Sequence, residues 1–315
     1  MRLGTWIGAT LGAGLMLTAA PAALAWSNQG HMVTGAVAYD DLAAADPALV
    51  AKIETIMASH PDKARFERGL AGLKGEARSR RLFELMARWP DDIREGPYDH
   101  PAWHYWFRIV PSTSDPIKLP PALLALAPGQ AADAYSLNFA TVRDAYAPPA
   151  ERAVSLCWLF HLAGDIQQPL HAGHLTSARF PLSDRGGESD FVKPAAGGAA
   201  INLHEYWDNA IGGDGDGDGT VEAVRLRLEK AWTRADLKEL TGKADLQTFR
   251  IWADESLGLA RSVVYVDGTF EGANAATTAQ PVSAAYEASR ASLGERRIAL
   301  GGHRIADAVR ATLAP

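Results

Sequence analysis

His161-Leu162-Ala163-Gly164-Asp165-Ile166-Gln167-Gln168-Pro169-Leu170-His171 closes a run, residues 150–165, in which apolar side chains recur at three- and four-residue spacing. The run predicts a helix. His161 and Asp165 stand four apart, so both project from one helical face and can grip one ion. Pro169 breaks that helix, which lets His171 approach from a different direction.

Outward from this stretch the same periodicity marks residues 32–42, 47–58, 78–89, 128–145, 221–232, 246–265 and 281–313, with clusters of Gly, Pro and Asp between them. Period-two alternation is scarce, and only short extended pieces are expected near Ile109 and Phe191. The fold class expected is therefore all-α, with long loops at 111–121 and 174–202. There is no internal repeat.

At the front, Arg2 is followed by an apolar stretch over 3–24 that closes on Ala23-Leu24-Ala25. That pattern predicts a signal peptide, residues 1–25, with cleavage after Ala25 and a mature single domain over 26–315 that is exported to the periplasm or secreted. The stretch is rich in Gly and Ala and lacks a basic stop-transfer flank, so no membrane anchor is expected after processing. No later segment is apolar enough to cross a bilayer. Cys157 is the sole cysteine of the 315 residues, which excludes an intrachain disulfide. A formal net charge of −6 argues against a protein that holds nucleic acid on a broad basic face. Asp214-Gly215-Asp216-Gly217-Asp218-Gly219 alternates like a calcium loop, but its twelfth position is Arg225 where such a loop needs glutamate, and a flexible acidic connector is the better reading.

A second His/Asp pair repeats the four-residue spacing at His204-Glu205-Tyr206-Trp207-Asp208, so more than one metal is expected. Either pair alone could be an ordinary helix-surface contact. Imidazole and carboxylate together suit zinc, where an oxygen-only set would suit magnesium or calcium. Further donors lie earlier: His31 five residues after Trp26, Asp91 and Arg94 in Trp89-Pro90-Asp91-Asp92-Ile93-Arg94, and His104 in Ala102-Trp103-His104-Tyr105. Singly, His104 reads as a core histidine and Asp91 as a helix cap. The set points to metal.

In motif order from Trp26 to Asp208, and more weakly through Trp252-Ala253-Asp254-Glu255-Ser256 to Arg304, the chain resembles the S1/P1 family of trinuclear zinc nucleases, which shares its helical fold with bacterial zinc phospholipases C. The resemblance implies a phospholipase C/nuclease-like fold with long loops around a cleft of three zinc ions. It implies Asp91, His104, His161 and Asp165 as ligands of one buried ion. Its bridged neighbour would take Trp26, through amine and carbonyl, His31 and the second oxygen of Asp165. His171, His204 and Asp208 would hold a third, more exposed ion. Arg94 matches an arginine that meets the substrate phosphate, and Asp91, Arg94 and Asp165 are the implied catalytic set. His60, His100, His174 and His303 match no ligand position and read as surface residues or as supports behind the ligands.

The chain departs from the family where His104 is followed by Tyr105-Trp106-Phe107 in place of an acidic or amide residue that reads a base edge; these aromatics, Tyr105 first, can stack a base. Gly186-Gly187-Glu188 stands where the family has Gly-Gly-Asn. The expected activity is zinc-dependent hydrolysis of single-stranded DNA or RNA, with activated water attacking phosphorus in line to give 5′-phosphorylated products and with 3′-nucleotidase activity beside it. No stable protein partner is implied. The rival within the fold is a zinc phospholipase C, against which stand the Trp26 to His31 spacing and Asp208, where the lipases resemble one another in carrying glutamate. A non-catalytic periplasmic zinc-binding protein is the rival from another class, but storage proteins use flexible His-rich tracts and have no use for Arg94.

Overall fold

The structure, a computed structural model, describes residues 26–119, 121–124, 129–212 and 218–314. The expected signal peptide and most of the acidic Asp-Gly stretch lie outside the described residues. Among those described, the fold is helical: α1 (Asn28–Ala45), α2 (Pro47–Met57), α3 (Lys63–Gly69), α4 (Gly75–Asp92), α5 (Pro121–Leu124), α6 (Ala131–Arg143), α7 (Pro149–Asp165), α8 (Leu203–Asp208), α9 (Asp218–Ala231), α10 (Thr248–Leu259) and α11 (Ala284–Leu313). Two short strand pairs interrupt it. β1 (Arg108–Pro111) runs parallel to β2 (Gly173–Thr176) with Ile109 opposite His174, and β3 (Phe191–Val192) is antiparallel to β4 (Ile201–Asn202). No helix among the described residues is long and apolar enough to cross a membrane.

Every residue of α7 from Ser155 to Asp165 is buried. Its sequence there is apolar on all sides, as a helix surrounded by others requires. It packs against α4, α6 and α11, while α1 lies between α4 and α11. α1 starts at Ser27, whose hydroxyl accepts the Gly30 amide. Where α1 crosses α4, a Cβ on Gly35 would come within 2.4 Å of the Phe83 carbonyl oxygen, so only glycine permits this approach.

The apolar interior falls into three clusters. One gathers α2, α4, α6 and α7 with the end of α11, a second holds Trp26 with α1, α9 and the middle of α11, and a third joins the strands to α8 and residues 260–265. The motif residues come from segments flanking all three.

Several expectations shift in detail. The helix expected over 78–89 runs farther at both ends and takes in Pro90 in its last turn, where the missing amide costs one hydrogen bond near a terminus. The 246–265 helix instead ends at Leu259 and passes through a wide turn, Ala260–Val264, before Val266 and Asp267 at φ of 44° and 55° stop it. Residues 174–202 begin as a strand, not as a loop. His60 is neither on the surface nor behind a ligand: it is buried edge-on to Phe66 and Trp89, and its Nδ1 accepts the Asp62 amide.

Candidate metal centre

Four helices and two 3-10 turns bring the donors together. α1 carries His31, the last turn of α4 carries Asp91, and the turn Pro101–His104 ends on its histidine. α7 presents His161 and Asp165, the turn Pro169–His171 presents His171, and α8 presents His204 and Asp208. All are buried. Their donor atoms form three groups able to hold a metal ion, His104 with His161 and Asp165, His31 with Asp91 and His161, and His171 with His204 and Asp208, each within 4.8 Å.

Asp165 sits at the junction. Its Oδ2 lies 3.0 Å from His104 Nδ1 and 3.1 Å from His161 Nε2, while its Oδ1 lies 3.3 Å from His31 Nε2. The two oxygens of one carboxylate thus face two different sets of imidazoles. Asp91 is placed in the same way, which the sequence reading did not anticipate: its Oδ1 lies 3.8 and 3.9 Å from His161 and His104, and its Oδ2 3.5 Å from His31. In the third group His204 Nε2 is 3.7 Å from Asp208 Oδ2, and the His171 and His204 rings are 5.0 Å apart.

Trp26 is buried beside these groups, its indole donating to the Gly164 carbonyl at 3.1 Å. The next amide, Ser27 N, donates to the Asp208 carbonyl at 3.2 Å. The backbone at residue 26 is therefore pinned between the end of α7 and the end of α8.

Backbone carbonyls aim the rings. Nδ1 of His161 donates to Ala87 O at 2.8 Å, that of His171 to His104 O at 2.7 Å, and that of His204 to Gly186 O at 2.8 Å. A carbonyl only accepts, so each Nδ1 holds a proton and each Nε2 is turned to its group. Gly186 reaches its place with φ of 65°, and a Cβ there would lie 2.8 Å from both Leu170 O and the Phe107 ring. Only glycine sets that carbonyl against His204.

The donor set asks for a cation. Among the described residues, His31 Nε2, His171 Nε2, Asp91 Oδ2 and Asp165 Oδ1 are buried without a hydrogen bond. Burial pushes Asp208 well above the usual carboxylate range and drives His171 down to about 3. His104 is also lowered by burial, over the opposing pull of Asp165. Burial opposes the charge on His161 too, but Asp165 and Asp91 outweigh it and raise its pKa. Buried carboxylates crowded among imidazoles, of which His104 and His171 are held neutral by burial, are poorly paired by protons alone, and divalent ions would satisfy both donor types. The residues fit zinc.

Arg94 and Tyr105 flank the donors. Arg94 Nη2 donates to Asp91 Oδ1 at 2.6 Å, and its Nε and Nη1, also buried, make no hydrogen bond among the described residues. Tyr105 stacks on Phe107 at 4.7 Å and lies 4.9 Å from the His171 ring. Burial, with Glu188 adding to it, holds the Tyr105 hydroxyl well above its ordinary pKa, so it keeps its proton.

The supports were harder to foresee. Gln168 Nε2 donates to Asp208 Oδ1 at 2.8 Å while its Oε1 accepts the Leu170 amide, so one amide side chain ties Asp208 to the turn that carries His171. Asp184 accepts the amides of Leu175 and Gly186 and the Tyr265 hydroxyl, and so fixes the Gly186 peptide. Arg297 and Arg304, buried on α11, bond Gln167, Glu255 and Ser256, while the Ser256 hydroxyl donates to Ile166 O. That network braces the chain just after Asp165 and accounts for the Glu255-Ser256 and Arg304 positions. Position between the ligand motifs was the one signal available for Gln168; for Asp184 there was none.

Three groups of buried donors, two of them joined by shared carboxylates, could hold more than one metal ion, as centres that handle phosphate esters do. The family model for S1/P1 Nuclease matches residues 26–314, and the chain belongs to that family. It is also 29% identical over 160 residues to Endonuclease 4 of Arabidopsis thaliana, an alignment covering 48% of each chain. The chain thus spans about half the length of that curated relative.

Proposed function

We propose that this chain is an exported zinc-dependent phosphodiesterase that cuts single-stranded DNA or RNA to 5′-phosphorylated products, with 3′-nucleotidase activity at the same site. The observation that carries this reading is Asp165, one carboxylate facing two sets of imidazoles, with the Arg94 guanidinium beside Asp91. Asp91, His104, His161 and Asp165 would hold one zinc, Trp26, His31 and Asp165 a second, and His171, His204 and Asp208 a third. The two-sided placement of Asp91 supports its joining the second set as well.

Bound zinc supplies Lewis acidity and lowers the pKa of water to roughly 7. The protein does the rest. Arg94, held by Asp91 and lying 3.9 Å from Asp99 through Nη1, would offer its guanidinium to a phosphate oxygen, a charge-assisted contact that strengthens as charge builds in the transition state. Tyr105 and Phe107 offer a base a stacked surface next to His171. A buried cluster is reached more readily by an unstacked nucleotide than by a duplex, which favours single strands.

Cleavage after Ala25 is part of the reading, because it would free the Trp26 α-amine as a donor where Ser27 already bonds Asp208 O. The test is an assay of zinc-loaded protein on single-stranded DNA, RNA and phosphatidylcholine, with and without chelator. Hydrolysis of the nucleic acids that chelator abolishes is expected. Hydrolysis of the phospholipid alone would replace the reading with a phospholipase C, and zinc binding without turnover would replace it with a storage protein.

A further inference from the structure

The turn that aims His204 also carries a charge with no part in holding metal. Arg185 stands between Asp184 and Gly186, both buried, yet its own side chain is 52% exposed. Its backbone is left-handed at φ of 61°, and Gly186 and Gly187 follow it there at 65° and 91°. Glycine is the cheap residue for such a backbone, and a long side chain in it is uncommon. Hydrogen bonds fix the turn on both sides of the arginine: its own amide donates to Ser183 Oγ at 2.7 Å, and the Gly186 amide donates to Asp184 Oδ1 at 3.0 Å.

Stability does not account for an arginine at this position. Its partner is Glu188, with Nη2 2.8 Å from Oε2, and a pair open to solvent contributes little. Glycine at 185 would remove the strain as well. What the pair does is point the charge, because Glu188 is only 16% exposed and the guanidinium is the end that faces out. The place it faces is set by Tyr105, whose ring lies 4.9 and 6.2 Å from those of His171 and His204. Of the charged side chains that act on the Tyr105 hydroxyl, Glu188 is the strongest and Arg94 the next. Arg94 comes to Tyr105 from Asp91 and the two inner groups, and Arg185 comes through Glu188 from the third.

We propose that Arg185 is a second phosphate contact, one that takes a backbone phosphate of a single strand next to the phosphate held at the metal groups. Arg94 is bonded to Asp91, whose oxygens face both inner groups, so Arg94 is the arginine that meets the phosphate being cut. Arg185, on the other side of Tyr105, meets a different one. One carboxylate does not exhaust the donors of a guanidinium, and a turn fixed in advance leaves little to order when the strand arrives. The proposal rests on the nuclease reading above and narrows it: the preferred substrate is a strand, because a mononucleotide or a phospholipid has a single phosphate and cannot engage both arginines.

The experiment measures binding to the zinc-loaded full protein of a fluorescein-labelled hexathymidylate with phosphorothioate linkages, checked to be intact afterwards, and of thymidine 5′-phosphate. Arg185→Gln should weaken the strand at least about fivefold at low salt and lower the slope of log Kd against log salt by about 0.7, the share of one phosphate contact on a single strand. Arg185→Lys should keep the slope, because it keeps the charge. Thymidine 5′-phosphate, with no second phosphate, should bind Arg185→Gln within about twofold of the parent. Arg78→Gln removes an arginine that is 40% exposed and likewise paired with a glutamate, about 20 Å along α4 from Asp91, and should leave strand binding as it is. An unchanged salt slope in Arg185→Gln overturns the proposal, as does equal weakening of strand and mononucleotide, or an equal loss in Arg78→Gln. Protein from the same batch is assayed on single-stranded DNA. An active enzyme whose strand binding ignores Arg185 ends this contact alone, and a protein that binds the strand through Arg185 but hydrolyses no nucleic acid ends the nuclease reading alone.

Discussion

Asp165 and Asp208 are both buried carboxylates four residues after a histidine, yet they differ in how many neighbours depend on them. Asp165 turns its two oxygens to His31 on one side and to His104 and His161 on the other, whereas Asp208 faces His204 and Gln168. Asp165→Asn should therefore release more than one zinc and lower turnover by at least about a hundredfold, and Asp208→Asn should release one. Metal analysis of the two purified variants decides it; three retained ions in Asp165→Asn would break the bridging assignment. A second prediction concerns Trp26. A free α-amine has a pKa of about 7.7 to 8.0 and gives up its proton to zinc near neutrality, but an amide nitrogen has no lone pair to give. Protein with one extra residue before Trp26 should lose much of one zinc site and most of its rate, while a C-terminal tag costs neither. Equal zinc content and equal rates, with each N-terminus verified by mass, would reduce Trp26 to a core residue. At this scale the sequence was most legible, because ligands must be His or Asp and helical spacing limits where they can stand. Gln168 and Asp184 escaped for the same reason: a side chain that aims a ligand through one hydrogen bond carries no characteristic residue type or spacing.

Among the elements, the turn at residues 184–187 does the most with the fewest residues. Asp184 holds the Gly186 amide and the Gly186 carbonyl holds His204. Gly186→Ala would force a Cβ against Leu170 O and Phe107 at φ of 65°, a conformation that costs an L-residue on the order of 1–3 kcal/mol. The carbonyl should swing off His204, the third zinc should bind more weakly, and the two inner sites should keep theirs; a zinc titration showing uniform weakening would place the damage elsewhere. Long helices were legible because burial repeats every three to four residues. α3 and α8 are too short for that signal, with 7 and 6 residues. The pairing of β1 with β2 could not be read at all, since the partners are some sixty residues apart in sequence and each is only 4 residues long. The break after Leu259 was hidden because the apolar rhythm runs on through Val263 and Val264 while the backbone turns.

For the molecule as a whole, stability should depend on metal and on pH in separable ways. With Cys157 free and buried, metal held by the proposed donors from Trp26 to Asp208 would staple distant segments, so chelation should lower the melting temperature as well as activity. An unchanged melting temperature after verified zinc removal would show that packing alone suffices. The pH effect comes from Asp190, a fully buried carboxylate near Asp184, Glu271 and Arg179. Burial, then Asp184, pushes its pKa up to about 8. From about pH 4 to 8 the unfolded chain gives up a proton that the folded chain keeps, so this contribution to stability is full below pH 4 and is lost as pH rises to 8. Asp190→Asn carries no such proton. Its melting temperature relative to the parent should climb by several degrees between pH 6 and 8.5 at fixed zinc, given roughly 2–4 °C per kcal/mol for a chain of this size. A pH-independent difference would mean that Asp190 is already ionised. The braces supplied by α11 also have a bearing on timing. Arg297 and Arg304 lie 130 and 137 residues beyond Gln167, yet they secure the chain beside Asp165, and Trp26 waits for α8 and α11 to close over it. A chain in which α11 has not yet folded back therefore has the proposed donors but lacks the braces beside Asp165. Latency would come with the order of the polypeptide itself, because the centre is braced only when α11 has folded back.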